Sequence, residues 1–245
     1  MCIRDRFRGI RNTRIRVLDE KDLQRLGMGR MKADMTGAAV VVATVLAAAR
    51  RGAKVNVVAL AALAENMPSG TAIRPGDVLT SMSGKTIEIS STDAEGRLVL
   101  SDAVHYAQVE YAPDVLIDVA TLTGSVGRAV GPHYAGLFSR HDELAGQILD
   151  ASAASGEMLW RLPLDDFYFE QIKSDIADVI NGGKSGAGAS IGAAFIGTFV
   201  AEEQVWAHLD IAGVDATEEP LPTVPKGFSG WGVRVLDEYL RRHHE

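Results

Sequence analysis

The strongest constraint on the fold of this chain is an alternation of helix-like and strand-like segments from Thr36 to the C-terminus. Short runs rich in valine, isoleucine and leucine, typical of strands buried on both faces, alternate with longer stretches of helical periodicity. Strands that alternate with helices form a sheet with helices on both of its faces. We therefore expect an α/β fold. With 47% hydrophobic and 23% charged residues, the composition excludes a wholly disordered chain.

The same pattern predicts where the individual helices and strands lie. Thr36 is a candidate N-cap for a helix that ends at Gly52, and because this helix is apolar on nearly all sides, we expect it to be buried. The predicted helices span residues 38–51, 98–111, 143–155, 193–203 and 232–242, and the predicted strands span residues 55–63, 86–90, 115–119 and 206–211. Turn-forming residues occupy positions 65–70 and 74–77.

Charge is unevenly distributed along the chain. Residues 1–30 contain nine Lys or Arg against four Asp or Glu, whereas the whole chain has a formal net charge of −7. We expect residues 1–30 to form a short basic lead-in and residues 31–245 to form the folded domain. The lead-in lacks the interleaved aromatic residues of a nucleic-acid arm, and the net negative charge disfavours nonspecific binding to nucleic acid. No nucleic-acid partner is predicted.

Membrane insertion and secretion are not predicted either. The longest nearly apolar run, residues 38–49, is shorter than the roughly 20 residues that span a bilayer. Residues 1–16 carry arginines but no apolar segment like that of a signal peptide. Cys2 is the only cysteine of the sequence, so the chain forms no internal disulfide. These features predict a cytoplasmic protein that does not bind a membrane.

The most informative stretch for chemistry is residues 91–98, between a predicted strand and a predicted helix. If this stretch is extended, Asp93 and Glu95 point to the same side and present both carboxylates to one point. Hard oxygen ligands at the carboxyl end of a strand suit a divalent cation such as Mn, Mg or Zn, and Arg97 adds a fork for an anion. The alternative is an acidic first turn that interacts only with the helix dipole.

Other polar residues are less specific. Asp34 is either an N-cap or a third acid beside these carboxylates. Asp118 follows an apolar strand, and we expect a buried carboxylate bound by loop amides more than a catalytic group. His208 is expected to be a hydrogen-bonded structural residue. Residues 182–185 end like a phosphate-binding loop, but Asp178 stands where such a loop needs its first glycine, so nucleotide hydrolysis is not predicted.

Residues 92–98, Thr-Asp-Ala-Glu-Gly-Arg-Leu, resemble the signature of the leucyl (cytosol) aminopeptidases, a family of two-metal exopeptidases. The resemblance implies a mixed β-sheet sandwiched between α-helices, a catalytic domain over residues 31–245, peptide substrates and assembly into a homohexamer. Further segments resemble the family in the same order along the chain, namely residues 32–39, 65–68, 74–77, 118–124, 160–164 and 206–213.

The resemblance also implies roles for individual residues. Asp34 would bind one of two divalent ions, Mn or Zn, Asp93 would bind the other, and Glu95 would bridge them. We therefore expect these three carboxylates to converge within the width of one coordination sphere. Arg97 would hold a bicarbonate ion that acts as general base toward the attacking water. The residues that would line the substrate cleft are Thr121, Leu122 and Gly124.

The chain also departs from the family pattern. Family members have, just upstream of the segment that matches residues 32–39, a strand and loop with a metal-binding lysine and aspartate, followed by a second lysine that stabilises the oxyanion. Here residues 15–29 resemble the family's lead-in but join the next segment directly, and Ser91 replaces the usual asparagine. We therefore expect an incomplete catalytic domain and an impaired metalloaminopeptidase. The alternative is a noncatalytic member that serves as a structural or assembly subunit.

Overall fold

The computed structural model describes residues 28–67, 69–184 and 186–245 of the chain. It divides into two units, Met1–Lys32 and Ala33–Glu245. In the first unit only residues 28–32 are described, and they begin a 3₁₀ helix, Met28–Met35. Most of the predicted lead-in, residues 1–30, therefore lies outside the described residues.

The elements of the second unit alternate between helices and strands along the chain. The helices are α1 (Thr36–Arg51), α2 (Glu95–Tyr111), α3 (Gly124–Val130), α4 (Asp142–Ser155), α5 (Asp166–Glu170), α6 (Gly188–Gly197) and α7 (Val233–His243). The strands are β1 (Val78–Thr80), β2 (Thr86–Glu88), β3 (Val115–Ala120), β4 (Ala135–Ser139), β5 (Leu159–Arg161), β6 (Val179–Ile180), β7 (Val205–Asp210), β8 (Ala216–Thr217) and β9 (Gly227–Phe228).

The strands form a mixed central sheet and two smaller sheets. In the central sheet the order is β3-β7-β4-β5. Strand β3 runs parallel to β7, β4 runs antiparallel to β7, and β5 runs parallel to β4. A second sheet has the order β1-β2-β6, and β8 pairs with β9. The mixed sheet implied by the resemblance is therefore confirmed.

Helices cover both faces of the central sheet, and the side chains of β7 alternate between the two cores that lie on these faces. Ala207 and Leu209 belong to a core that includes residues of α1, α4 and α7. Trp206 points to the other face and packs in a core with residues of α2 and α6. Since successive residues of a strand point to opposite faces, one strand contributes to both cores. The predicted sandwich is confirmed.

Helix α1 matches its prediction in length but not in burial. Gly52 ends it in the left-handed conformation, with φ 73° and with its N–H bonded to carbonyls of the last turn. Val40 and Ala48 are buried in the core, but Val42 is 43% and Leu46 is 53% exposed. The prediction of a helix buried on all sides is therefore wrong, because the sheet covers only one face of the helix.

The membrane prediction also needs a correction for this region. The helical stretch Met31–Arg51 is long and apolar enough to cross a membrane by length and composition alone, with 28% of that window buried. The prediction that no segment is long enough to span a membrane considered only the apolar run over residues 38–49. The helical stretch is longer, so that prediction is wrong for length and composition. Core helices of soluble proteins pass the same test, and α1 contributes Val40 and Ala48 to a core.

The predicted strand over residues 55–63 is not a strand in the structure. Val55 and Val57 are half-buried and pack against the core beneath α1, while Lys54, Asn56 and Val58 are exposed. This alternation is that of an extended chain, but a strand also requires a partner for its backbone groups. Among the described residues, this segment pairs with no strand.

Two helix boundaries differ from prediction. Helix α2 begins at Glu95, three residues before the predicted start. Helix α6 spans Gly188–Gly197 instead of residues 193–203, and all of its residues from Ala189 onward are buried. Glycine is a weak helix former, so the start of α6 is stabilised by packing more than by propensity. The helix over residues 98–111 and the strand over 206–211 are otherwise confirmed within a few residues.

A buried carboxylate fixes the last helix. Glu157, which is 2% exposed, accepts hydrogen bonds at Oε2 from the backbone N–H groups of Gly232 (3.0 Å) and Val235 (2.9 Å). Its Oε1 accepts one from Arg234 Nε at 3.1 Å. The carboxylate therefore satisfies free N–H groups at the N-terminus of α7 and interacts favourably with the helix dipole.

We expect Glu157→Ala to lower the free energy of unfolding by about 3 kcal/mol, because two buried N–H groups lose their acceptor. Urea unfolding followed by circular dichroism measures this value. Glu238→Ala is the matched control, since Glu238 pairs with Arg241 and Arg242 near the other end of α7. It should cost less than about 1 kcal/mol, as surface ion pairs do. Equal losses for the two variants would contradict the capping role of Glu157.

Candidate functional site

The carboxylates of residues 91–98 do not lie on one extended face. Asp93 is in a turn, and Glu95 is the first residue of α2. The argument that residues two apart point to the same side holds only in an extended chain, so it does not apply here. Among the described residues, no group of three or more His, Cys, Asp or Glu is placed to hold a metal ion. The predicted convergence of Asp34, Asp93 and Glu95 within one coordination sphere is therefore not found.

These carboxylates nevertheless lie close enough to interact electrostatically. Burial raises the pKa of Glu95 above its ordinary value, and the charges of Asp34 and Asp93 raise it further. Like-charged carboxylates without cations between them repel each other, so the charges of Asp34 and Asp93 favour the protonated form of Glu95. A cation among the three would remove this repulsion.

Asp34 is connected to the loop after β3. Its carboxylate Oδ1 accepts a hydrogen bond from Thr121 Oγ1 at 2.5 Å, and its backbone carbonyl accepts a second one from the same hydroxyl at 3.1 Å. The structure therefore brings together one of the predicted metal ligands and one of the predicted substrate-binding residues. Asp34 does not cap α1, since the N-cap position is Met35 and no side chain caps this helix.

Arg97 lies two residues after Glu95 on α2 and is buried, with 8% of its surface exposed. Burial lowers the pKa of its guanidinium, which the charge of Asp210 partly opposes. Its Nη1 donates to the backbone carbonyl of Asn181 at 2.5 Å. Its Nε has no hydrogen-bond partner among the described residues. A buried donor without an acceptor is costly, so this guanidinium is suited to an anion.

The loop that carries Thr121, Leu122 and Gly124 is held by Asp210, at the end of β7. The carboxylate of Asp210 accepts from the backbone N–H of Leu122 (3.1 Å) and from both the N–H (3.3 Å) and the hydroxyl (2.6 Å) of Thr123. Burial raises the pKa of Asp210, an effect that the charge of His208 and the hydrogen bonds from Thr123 and Ala212 partly oppose. Thr123 in turn caps α3 by accepting from Val126 N–H. One carboxylate therefore orders the whole turn.

Asp118 and His208 form a buried pair between β3 and β7. Asp118 Oδ1 lies 2.5 Å from His208 Nδ1, and Asp118 Oδ2 accepts from Trp206 Nε1 at 2.7 Å. Asp118 is therefore bound by side chains and not by the loop amides that the sequence predicts. The structural role predicted for His208 is confirmed. Burial lowers the pKa of His208, but the Asp118 carboxylate outweighs this effect and the net shift is upward.

Sequence reasoning missed two residues that order this region, Asp210 and Asn181. The alternation of His208 with Asp210 on a strand gave a signal for Asp210, because residues two apart share a face. Asn181 follows the two-residue strand β6, and no local pattern in the sequence marks it.

The amino-acid sequence matches one family along most of its length. The profile described as "Cytosol aminopeptidase family, catalytic domain" matches residues 21–237. A "Probable cytosol aminopeptidase" of Rickettsia bellii (strain OSU 85-389) is 50% identical over 220 residues, which are 89% of this chain and 44% of that protein. A protein of the same name from Chlorobium luteolum is 51% identical over 216 residues, 88% of this chain and 42% of that protein. The chain thus spans less than half the length of these curated relatives.

Solved structures agree with the sequence match. A tomato leucine aminopeptidase mutant is 43% identical with a TM-score of 0.78, over 87% of this chain and 41% of that chain. A bottromycin maturation enzyme in complex with Mn is 40% identical with a TM-score of 0.80, over 88% of this chain and 48% of that chain. The range matched by the family profile, residues 21–237, includes all strands of the central sheet and the loops that carry the candidate site.

We expect the stability contributed by His208 to depend on pH. Because its pKa is higher in the folded state than the ordinary 6.5, the folded state binds the proton more tightly than the unfolded state does. The stabilisation is complete below pH 6.5 and is lost as the pH rises through the pKa of the folded state. It amounts to about 1.4 kcal/mol for each unit of pKa difference.

Urea unfolding of the wild type and of His208→Gln at pH 6 and pH 9 measures this effect. The difference between the two proteins should be larger at pH 6, because glutamine does not titrate. His133→Gln, at an exposed position, is the control and should change stability little at either pH. If the difference in free energy of unfolding between the wild type and His208→Gln increases toward pH 9, His208 is neutral in the folded state.

Proposed function

The chain belongs to the cytosol aminopeptidase family, and we propose on that premise that it carries part of a metal-dependent aminopeptidase that removes N-terminal, leucine-like residues from peptides. The observation that supports this most directly is the buried guanidinium of Arg97, which lies two residues after Glu95 on α2 and whose Nε has no hydrogen-bond partner among the described residues. Asp34 and Asp93 lie near enough to Glu95 for their charges to act on it, which supplies carboxylates for a cation. Because the chain covers less than half the length of its curated relatives, the substrate class is also a proposal, which rests on family membership.

Asp34, Asp93 and Glu95 are the residues that would hold two divalent ions, Mn or Zn. Their carboxylates fit such ions in chemistry, since they supply hard oxygen ligands whose mutual repulsion a cation would relieve. The Mn complex of a related maturation enzyme supports the choice of ion. When bound, the ions would polarise the scissile carbonyl and lower the pKa of a water molecule. Three carboxylates are few for two ions, so we infer weak binding.

The remaining site residues would orient the substrate and the anion. Arg97 would hold a bicarbonate ion through its Nε–H, which has no partner among the described residues, and this anion would supply a general base. Thr121, Leu122 and Gly124 would line the cleft for the peptide. The N–H groups of Leu122 and Thr123 are already bound to Asp210, so they keep the loop rigid and are not free to bind the substrate.

We propose that the activity of this chain is impaired. The family's lysine-and-aspartate segment is missing between residues 29 and 32, which removes two metal ligands and an oxyanion-stabilising lysine. A noncatalytic assembly subunit was the alternative prediction, but the relatives are named as aminopeptidases and do not favour it. We further propose that the protein is cytoplasmic, forms a homo-oligomer such as a hexamer, and binds neither nucleic acid nor membrane.

We expect Mn²⁺ and Zn²⁺ to bind weakly, with dissociation constants well above the micromolar range, because clustered acids without their other ligands hold cations poorly. Isothermal titration calorimetry with MnCl₂ measures the affinity. Glu95→Gln should weaken binding further. Glu110→Gln is the matched control at the exposed far end of α2 and should leave binding unchanged. Submicromolar binding of two ions per chain would contradict the proposed deficit.

We expect hydrolysis of leucine p-nitroanilide to be barely above background. Loss of one oxyanion-stabilising group alone typically costs about 10² to 10³ in rate. Insertion of the family's segment between Gly29 and Met31 should restore activity, and Glu95→Gln in the restored protein should abolish it again, whereas Glu110→Gln should not. A rate for the unmodified chain that equals that of an intact relative would refute the impairment and would point to Lys32 as a substitute for the missing lysine.

A further inference from the structure

Asn181 is a fully buried polar residue at the end of β6. Its backbone N–H donates to the carbonyl of Glu88 at 2.9 Å, which continues the parallel pairing of β2 with β6. The backbone of Asn181 is therefore fixed by the small sheet. This places its side chain under the loop that connects β2 to α2.

The side-chain amide binds that loop with both of its ends. Oδ1 accepts from the N–H groups of Ser90 (2.9 Å) and Ser91 (3.2 Å), and from the Ser90 hydroxyl (3.3 Å). Nδ2 donates to the carbonyls of Ser91 (2.7 Å) and Ala94 (3.4 Å). Ala94 stands between Asp93 and Glu95 in the sequence. The amide therefore holds the loop on both sides of Asp93 and up to the first residue of α2.

The backbone carbonyl of Asn181 makes the third connection. It accepts the hydrogen bond from Arg97 Nη1, which is the only hydrogen bond recorded for this guanidinium among the described residues. One residue thus contacts the loop of Asp93, the residue before Glu95 and the side chain of Arg97. Of the four residues assigned to cation and anion binding, Asn181 therefore contacts Arg97 directly and contacts chain neighbours of Asp93 and Glu95.

The two glycines after Asn181 make this close approach possible. A Cβ on Gly182 would overlap the Ser90 hydroxyl, and a Cβ on Gly183 would overlap the side chain of Ile191 on α6. Only glycine lets the backbone lie this near to both neighbours. The glycine pair that resembled the end of a phosphate-binding loop therefore serves to pack this segment between the carboxylate loop and α6.

We infer that Asn181 is a positioning residue for the candidate site, an inference that rests on the proposed metal-binding function. It acts through the loop over residues 90–94 and through Arg97, and it touches neither ions nor substrate. An amide is suited to this role because one short side chain presents an acceptor to two N–H groups and a donor to two carbonyls. Partners that orient ligand-bearing groups in this way commonly change metal affinity by about 10- to 100-fold.

A merely structural role would lower stability without a specific effect on the site, so the test needs a matched control. Gln108 provides one on α2, the helix that begins after the loop bound by Asn181. Its amide donates to the carbonyls of Val104 (2.8 Å) and Phe199 (3.0 Å) and accepts from Ala201 N–H at 2.8 Å. Gln108→Ala therefore removes a comparable set of hydrogen bonds at the opposite end of α2.

The experiment compares Asn181→Ala, Asn181→Asp and Gln108→Ala by amide hydrogen exchange of the metal-free proteins and by Mn²⁺ titration followed by electron paramagnetic resonance. Asn181→Ala should accelerate exchange at Ser90 and Ser91 about tenfold, as expected for the loss of one hydrogen bond. Asn181→Asp keeps the acceptor and should retain this protection. Asn181→Ala should also weaken Mn²⁺ binding about tenfold or more. Gln108→Ala should change neither quantity by more than about twofold.

The outcomes separate this inference from the proposed function. If the wild type shows no Mn²⁺ binding, the metal-dependent function fails, and the exchange rates at Ser90 and Ser91 alone decide whether Asn181 orders the loop. If Asn181→Ala changes exchange and Mn²⁺ affinity no more than Gln108→Ala does, the positioning role is overturned. Should Asn181→Ala not fold, Asn181→Ser replaces it, because serine keeps a polar group but is too short to reach both loop ends.

Discussion

The parallel pairing of β3 with β7 is the interaction on which the rest of the structure depends. Its register places Asp118 opposite His208 and Ala120 opposite Asp210. The first pairing forms the buried carboxylate–imidazole contact, and the second brings the loop after β3 onto the Asp210 carboxylate. A slip of one residue would turn every side chain of one strand to the other face and would separate both contacts. The register of β3 with β7 therefore determines both the packing of the core and the position of the loop in the candidate site.

The two loops of the candidate site are held in the same way, by a buried polar side chain at the end of a strand. Asp210 binds the loop after β3, and Asn181 binds the loop before α2. They come from different sheets, since β7 is in the central sheet and β6 is in the small one. Each side chain is bound by backbone groups and by one hydroxyl of its loop, so the loop gains a defined conformation. The relative position of the two sheets thus determines how near the carboxylates lie to the substrate loop.

The least covered part of the structure is the region before β2. Among the described residues, more than half of the exposed large apolar side chains lie between residues 31 and 82. In the same region the segment over residues 55–63 is extended without a strand partner among the described residues. Strand β3, later in the chain, has a neighbour only on its β7 side within the described part of the chain. Exposed apolar surface and unpaired strand edges are both unfavourable in isolation. This region also adjoins the point where the chain departs from its family.

Local sequence determined the elements whose signals are contained within a few residues. Gly52 ends α1 as predicted, the apolar run over residues 115–119 forms β3, and the predicted strand over residues 206–211 matches most of β7, because periodicity and capping act over short distances. The family signature over residues 92–98 predicts roles for Asp93, Glu95 and Arg97 from a single short segment. Tertiary structure alone decided that residues 55–63 form no strand, since a strand exists only where a partner is present. It also decided that Asp210 and Asn181 order the site, because their partners lie about ninety residues away in the sequence and only the packing of the two sheets brings them together.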